Sequence, residues 1–101
     1  MADLPELDPV IHGKLRLATL SLLFGVEVAE FTWLREKTGA TDGNLSVQLR
    51  TLEEAGYVVS EKKFALRKPV SEYKITPKGR KALRTYVQAM HALLKLADGA
   101  E

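Results

Sequence analysis

The sequence contains no cysteine among its 101 residues. This absence excludes disulfide bonds, thiolate metal sites and thiol nucleophiles, and it fits a cytoplasmic protein. No apolar run reaches the ~18–20 residues that cross a bilayer, and the first residues, MADLPELDP, lack the charged and then apolar segments of a secretion signal. With 46% hydrophobic and 28% charged residues, the composition is that of a soluble globular protein. We therefore expect one small domain, residues 1–101, with no membrane partner.

Motifs that carry catalysis are also missing. The sequence has no Gly-rich phosphate loop and no cluster of metal-ligating side chains, and its serines have no histidine at a recognisable motif spacing. His12 and His91 stand singly in different predicted helices, without the further ligands that a metal site needs. The sequence therefore predicts no enzyme, no metal site and no cofactor.

The net charge is only +2, but positive charge is concentrated in one segment. Residues 1–61 carry five Lys or Arg against ten Asp or Glu, a net charge of −5, whereas residues 62–84 carry nine against Glu72 alone, a net charge of +8. The nine are Lys62, Lys63, Arg67, Lys68, Lys74, Lys78, Arg80, Lys81 and Arg84. Such a block attracts polyanions, above all nucleic acid, although a solvated basic surface is the alternative.

A stretch in the middle of the chain predicts two short helices joined by a turn. In the first helix, Thr32 is the expected N-cap and Gly39 the residue that closes it. The second helix begins at Thr41 or Asp42, either of which suits an N-cap, and ends at Gly56, which tolerates a left-handed conformation. Because Asp42 would be poorly placed beside a phosphate, we assign it to capping.

The second of these helices has two chemically different faces. Its leucines, at positions 45, 49 and 52, recur at intervals of four and three and therefore form one apolar stripe. The opposite face carries small, amide and cationic residues: Gly43, Asn44, Val47, Gln48, Arg50 and Thr51. An apolar back with a hydrogen-bonding front suits a helix that packs on a domain and reads DNA base edges, but it is also typical of any amphipathic surface helix.

Another helix is predicted before this pair. Asp8-Pro9 supplies an N-cap and a proline at the first helical position, and the helix is expected to run to Phe24 and end at Gly25. Its apolar residues cover more than one face, which favours burial on two sides, by its own domain and by a second subunit. Short extended and helical segments follow, with these expected core contacts: Val28, Phe31, Trp33 and Leu34.

After Gly56 the pattern becomes that of strands. Residues 57–64 are rich in strand formers, and residues 71–76 alternate with Tyr73 and Ile75 on one face. Residues 65–70 form a polar, proline-containing connector. The pattern therefore predicts a hairpin with a cationic tip.

The chain closes with a long predicted helix. Thr76-Pro77 repeats the cap-and-proline signal, and the helix is expected to run to about Ala97. Its apolar residues recur at intervals of three and four over two heptads: Leu83, Tyr86, Val87, Met90, Leu93, Leu94 and Ala97. Burial of this seam against a second copy is the economical solution for so small a domain, and packing within its own subunit is the alternative.

The predicted elements give a mainly α chain with a small β-hairpin. Their order, with the segments LRLATLSLL, LSVQLRTLEEAGYV and YKITPKGR, resembles small stand-alone winged helix-turn-helix regulators of the MarR, ArsR and PadR-type groups. The resemblance covers about residues 8–97. It implies that residues 8–76 form the helices and the wing and that residues 77–97 form a C-terminal dimerisation helix.

The resemblance also implies a site. The first and last helices would hold a homodimer together, through Leu15 and Leu22 of the first helix and the apolar residues listed above for the last. The recognition helix, residues 41–55, would then lie in the major groove. The wing, residues 62–70, would touch the DNA backbone or the minor groove. The implied DNA-binding residues are Gly43, Asn44, Ser46, Val47, Gln48, Arg50, Lys62, Lys63, Arg67 and Lys68.

The chemistry of these residues agrees with that assignment. Asn and Gln amides pair with adenine, and Val47 suits a thymine methyl group. Ser46, Arg50 and the wing cations suit phosphates, and Arg67 also suits a narrow minor groove.

We therefore expect a sequence-specific double-stranded DNA-binding transcriptional regulator, in the simplest case a repressor, that binds an operator as a homodimer. The metal-sensing cysteines of some ArsR-type proteins are absent. An effector, if one exists, would bind in the dimer crevice near Trp33, Tyr86 and Met90. The alternative function is a winged-helix protein–protein interaction module, which would be expected to expose large apolar or acidic groups on the recognition helix.

Overall fold

The computed structural model describes residues 3–99. Its elements are α1 (Lys14–Gly25), β1 (Ala29–Glu30), α2 (Phe31–Thr38), α3 (Asp42–Glu54), β2 (Val58–Ala65), β3 (Lys68–Ile75) and α4 (Pro77–Leu94), followed by a 3-10 turn over Lys95–Asp98. The strands form an antiparallel sheet in the order β1-β3-β2. The predicted fold class, a mainly helical winged helix with a long C-terminal helix, is confirmed.

The leucine stripe of α3 anchors this helix in the core. Leu45, Leu49 and Leu52 are all buried, and they join a cluster to which every helix and the sheet contribute. Burial of each leucine side chain stabilises the fold by roughly 1.5–3 kcal/mol. The stripe therefore fixes which face of α3 is turned toward solvent.

The first helix begins later than its sequence predicts. Oδ1 of Asp8 accepts a hydrogen bond from the Val10 backbone N–H at 2.9 Å, but it caps only a single turn. Gly13 is extended, with φ −158° and ψ 133°, and α1 begins at Lys14. The prediction of a helix from Pro9 is therefore wrong, because the backbone leaves the helical conformation at Gly13.

The start of α2 also differs from the prediction. Glu30 occupies the N-cap position, and Thr32 lies inside the helix, so the assignment of Thr32 as N-cap is wrong. The cause is β1: Glu30 pairs with Glu72 of β3, and the chain turns directly from strand to helix. Gly39 ends the helix in the left-handed conformation, as predicted.

Of the core contacts expected just before and within α2, three are confirmed and one is not. Leu34 is fully buried, and Phe31 and Trp33 pack partly against the core. Val28 is exposed, contrary to the prediction, whereas its neighbour Ala29 is buried. Successive side chains of an extended segment point to opposite sides, so only one of the two can face the core.

The hairpin is longer and its turn tighter than predicted. Residues 65–70 do not form a connector, because β2 and β3 pair as far as Ala65 and Lys68. Only Leu66 and Arg67 join them, with φ of 52° and 66°, the signature of a type I′ turn. Pro69 is tolerated because β1 pairs with β3 only at residues 72 and 73, which leaves β3 without a partner on that side at Pro69.

The last helix starts as predicted. The Thr76 hydroxyl accepts a hydrogen bond from the Gly79 N–H at 3.0 Å and donates one to the Gly56 carbonyl at 2.6 Å, and Pro77 follows it. The α-helix ends at Leu94, and helical backbone continues as the 3-10 turn, which includes Ala97. No helix within residues 3–99 has both the length and the apolar character needed to cross a membrane.

Candidate nucleic-acid interface

The N-terminus of α3 is held by two separate interactions. The Thr41 hydroxyl accepts a hydrogen bond from the Asn44 N–H at 3.2 Å, so Thr41 is the N-cap. Asp42 is not a cap, contrary to its assignment from sequence. It pairs with Arg35 of α2 at 2.8 Å, and the hydrogen bond and charge of Asp42 raise the pKa of Arg35. This pair joins the two helices of the motif and reduces the negative charge that Asp42 would present to a phosphate.

The predicted DNA-binding residues of α3, other than Gln48, lie together on one side of the helix. Gly43, Asn44, Ser46, Val47 and Arg50 are all exposed, opposite the buried leucine stripe. The side chains that project there are short, polar, aliphatic or cationic. That face can donate and accept hydrogen bonds, contact a methyl group and pair with a phosphate.

Gln48 differs from the other predicted base readers, because its amide is bound within the protein. It is half-buried, and Oε1 accepts a hydrogen bond from a terminal guanidinium nitrogen of Arg16 at 2.6 Å. Its Nε2 donates to Oδ1 of Asn44 at 3.0 Å. Sequence reasoning missed Arg16, because it precedes Gln48 by 32 residues and no local pattern connects them.

The predicted wing cations lie on the hairpin. Lys62, Lys63, Arg67 and Lys68 are exposed. Lys63 forms an ion pair with Glu72 across the strands at 3.1 Å, and the hydrogen bond and charge of Glu72 raise the pKa of Lys63. A phosphate would therefore compete with Glu72 for Lys63, while no ion pair within residues 3–99 engages the other three.

The tip of the hairpin also carries apolar side chains that sequence reasoning did not single out. Phe64 is 82% exposed and Leu66 is 96% exposed. Their neighbours in the chain are the wing cations. The tip is therefore amphipathic rather than purely cationic.

The cationic block of residues 62–84 is divided between the hairpin and α4. Its second half lies on α4, where several cations stack on aromatic rings. The Arg80 and Arg84 guanidiniums lie 4.8 and 5.3 Å from the centroid of Phe24, and Lys78 lies 5.8 Å from that of Tyr57. These side chains pack against α1 and against Tyr57, which lies between α3 and β2, so they contribute to the fold as well as to the charge.

The predicted dimer residues fall into three groups by exposure. Leu83 and Tyr86 are only 6% and 4% exposed, so they are already packed within their own subunit, the alternative that the sequence left open. Val87 is 57% exposed, and Leu94 and Ala97 are exposed as well. The half-buried members are Leu15, Leu22, Met90 and Leu93.

Two depressions flank Val87 between α1 and α4. One, of about 420 Å³, is lined by Phe24 and Leu83 among others. The other, of about 290 Å³, is lined mainly by Leu17, Tyr86, Met90 and Leu94 and by His91. Both are largely apolar, and together they form a continuous strip along α4 because Val87 borders each of them.

The residues predicted to surround an effector are not brought together. Tyr86 and Met90 line the smaller depression above, whereas Trp33 lines a separate one of about 520 Å³ beside β1.

His12 forms a hydrogen bond through Nδ1 to the Tyr86 hydroxyl at 2.9 Å. In the part of the chain that the structure describes, no three His, Asp or Glu residues are grouped to hold a metal ion.

Comparison with known proteins agrees with this architecture. The family of winged helix DNA-binding domains matches residues 15–94. The chain is 38% identical over 92 residues to the uncharacterized protein MJ0432 of Methanocaldococcus jannaschii, which covers 91% of this chain and 97% of that protein.

Solved structures with the same fold include the transcriptional regulator homologue of Pyrococcus horikoshii OT3, with a TM-score of 0.82, 26% identity and coverage of 88% of each chain. A candidate MarR-family regulator of Enterococcus faecalis V583 gives a TM-score of 0.73 at 27% identity, over 89% of this chain and 81% of that one. The resemblance to small winged-helix regulators, rather than to enzymes, is confirmed. The chain belongs to the winged helix DNA-binding domain family.

Proposed function

We propose that the protein is a sequence-specific regulator of transcription that binds double-stranded DNA in the cytoplasm as a homodimer. In this proposal α3 lies in the major groove, and the hairpin tip touches the backbone or the minor groove. One observation carries the proposal: α3 buries its leucine stripe in the core and turns Asn44, Val47 and Arg50 outward, while an exposed cationic hairpin follows it in the fold.

Each part of the surface suits a different part of the duplex. An exposed amide at Asn44 suits an adenine edge, and exposed Val47 suits a thymine methyl group. Ser46, Arg50 and the hairpin cations suit phosphates, which provide most of the salt-dependent affinity.

The apolar strip along α4 supports the homodimer. Val87 and Leu94 would remain in water in a monomer, and a second copy of the strip would cover them. A two-fold dimer would set its recognition helices roughly 34–36 Å apart, about one turn of duplex, on a pseudo-palindromic operator. Occupancy of such an operator would block polymerase, which makes repression the simplest outcome.

The test is binding to a duplex from the gene's own upstream region and to a shuffled duplex across a salt series. We expect sequence-dependent binding whose log affinity falls steeply with log salt concentration. Asn44→Ala should lose roughly 1–3 kcal/mol on the operator and little on shuffled DNA. Arg67→Ala should weaken both duplexes alike, and Lys95→Ala, which removes a cation after α4, is its control.

The second candidate is a protein-interaction module. It is favoured by Phe64 and Leu66, which expose large apolar groups at the hairpin tip. Equal, weak binding to both duplexes that vanishes at physiological salt would reject the DNA proposal in favour of this one. A pull-down with wild type and with a Phe64→Ser, Leu66→Ser variant would then identify the partner and its dependence on the tip.

A further inference from the structure

Arg16 connects the start of α1 to the exposed face of α3. It lies in the first turn of α1 and is half-buried. Its Nε donates to the Val10 carbonyl, one terminal nitrogen reaches the Pro9 carbonyl at 3.4 Å, and the other donates to Oε1 of Gln48 at 2.6 Å. The guanidinium is thus held by the turn that precedes α1 and points to the recognition helix.

This contact determines the orientation of two side-chain amides. A guanidinium has only donors, so the Gln48 atom that faces Arg16 must be the oxygen. The Gln48 nitrogen is then the atom that faces Asn44, and because it too is a donor, it must meet the Asn44 oxygen. Nδ2 of Asn44 is left without a partner among residues 3–99, on the exposed face of α3.

We infer that Arg16 is a positioning residue for base recognition, because it orients the Asn44 amide through Gln48. This inference rests on the proposed function. Nδ2 of Asn44 is presented as a donor, and Oδ1 keeps a second lone pair, so Asn44 can donate to N7 of adenine and accept from its N6. We assign Gln48 to positioning rather than to base reading, because both ends of its half-buried amide are already bound within the protein.

Gly13 provides a way to test this without removing a charge. A Cβ on residue 13 would lie 2.9 Å from a terminal nitrogen of Arg16 and 3.1 Å from its central carbon. The extended backbone of Gly13 accepts alanine, so Gly13→Ala displaces the guanidinium of Arg16 without removing its positive charge. Gly25→Ala, where a Cβ would meet nothing within 4 Å, is the matched control.

The binding experiment uses the full chain and a set of operator duplexes in which each base pair is changed in turn. Asn44→Ala identifies the base pair that Asn44 reads. Gly13→Ala and Arg16→Met should reduce discrimination at that same base pair by about five- to 150-fold, the range expected of one bidentate base contact. Gly13→Ala should leave affinity for shuffled DNA unchanged, and Gly25→Ala should behave as wild type.

Uniform loss at every position, on shuffled DNA as well, would overturn the inference and make Arg16 a phosphate contact. A second measurement needs no DNA. NMR spectra of the free protein record the side-chain amide resonances of Asn44 and Gln48. Gly13→Ala should shift both pairs of signals, and if both stay where they are in wild type the inference is wrong. If the wild-type chain prefers no duplex, the proposed function fails, and the amide signals still decide whether Arg16 orients these residues.

Discussion

Gly79 lies so close to the carbonyl oxygen of Tyr57 that a Cβ atom on residue 79 would overlap that oxygen. The carbonyl cannot move away freely, because it accepts a hydrogen bond from the Thr76 N–H at 2.9 Å. Alanine is the better helix former by roughly 1 kcal/mol, but here overpacking outweighs that gain. We expect Gly79→Ala to lower the free energy of unfolding by about 1–3 kcal/mol, measured by urea denaturation. Gly25→Ala, which has open space around it in α1, should be at least as stable as wild type, and equal stability of the two variants would contradict this packing.

Thr19 is fully buried in α1, and its hydroxyl has no hydrogen-bond partner within residues 3–99. An unsatisfied buried polar group costs about 1–3 kcal/mol, while valine has nearly the same shape. Thr19→Val should therefore raise the urea midpoint, with a gain of about 1 kcal/mol in the free energy of unfolding. Thr19→Ser keeps the hydroxyl and loses the methyl group, so it should be less stable than wild type. A Thr19→Val variant less stable than wild type would mean that the hydroxyl has a partner.

The Tyr57 hydroxyl donates a hydrogen bond to Oδ2 of Asp8, which joins the N-terminal turn to the segment between α3 and β2. This bond, then partial burial and the charge of Asp8, raise the pKa of Tyr57 to about 12. Since the folded state raises the pKa, the stabilisation is fully present below the usual tyrosine pKa of about 10 and is lost as pH rises through about 12. We expect the free energy of unfolding to fall over this window more steeply in wild type than in Tyr57→Phe.

The same prediction has a direct spectroscopic form. The difference between the tyrosinate absorbance titrations of wild type and Tyr57→Phe isolates one phenol, which should ionise near pH 12. Asp8→Asn should bring that value back toward about 10, because it removes the carboxylate that holds the proton on the phenol. An unchanged midpoint in Asp8→Asn would exclude Asp8 as the cause.

The hairpin turn combines strain with exposure. Leu66 and Arg67 both have positive φ, a conformation that asparagine and glycine adopt more easily. Replacement by Asn-Gly (Leu66→Asn with Arg67→Gly) should raise the free energy of unfolding by about 1 kcal/mol. In the proposed function this double substitution should also weaken DNA binding, because the tip loses the cation of Arg67 and the exposed side chain of Leu66. A variant that is no more stable than wild type would show that the turn is not strained.

The apolar strip of α4 predicts the oligomeric state. Val87→Glu places a charge in the middle of the strip, between the two depressions. Sedimentation equilibrium should give a dimer for wild type and a monomer for this variant, since an unpaired carboxylate at a buried interface is strongly unfavourable. Val59→Glu is the control, because Val59 is an exposed valine of β2 outside the strip. A monomeric wild type at micromolar concentration would count against the dimer.

Much of the fold follows from local patterns in the sequence. The leucine spacing of α3 determined its buried side, and Thr76-Pro77 marked the start of α4, because periodicity and capping depend only on residues a few positions apart. The strand pattern located the hairpin, although residues 62–69, which show no alternation of apolar and polar side chains, concealed its length. Residues 62–69 are exposed on both faces of the hairpin, so the strands need no alternation of apolar and polar residues there.

Only the tertiary structure decided the remaining features, because they depend on contacts between distant residues. Gly13 ends the N-terminal turn where Arg16 folds back toward it, and no capping rule anticipates that. The side-chain chemistry of Gln48 fits a base reader, but its partner is Arg16 of another helix, and this contact gives the outward-facing role to Asn44. The sequence by itself determined which face of α3 is polar. The packing of α1 against α3 determined which amide on that face is free to meet DNA.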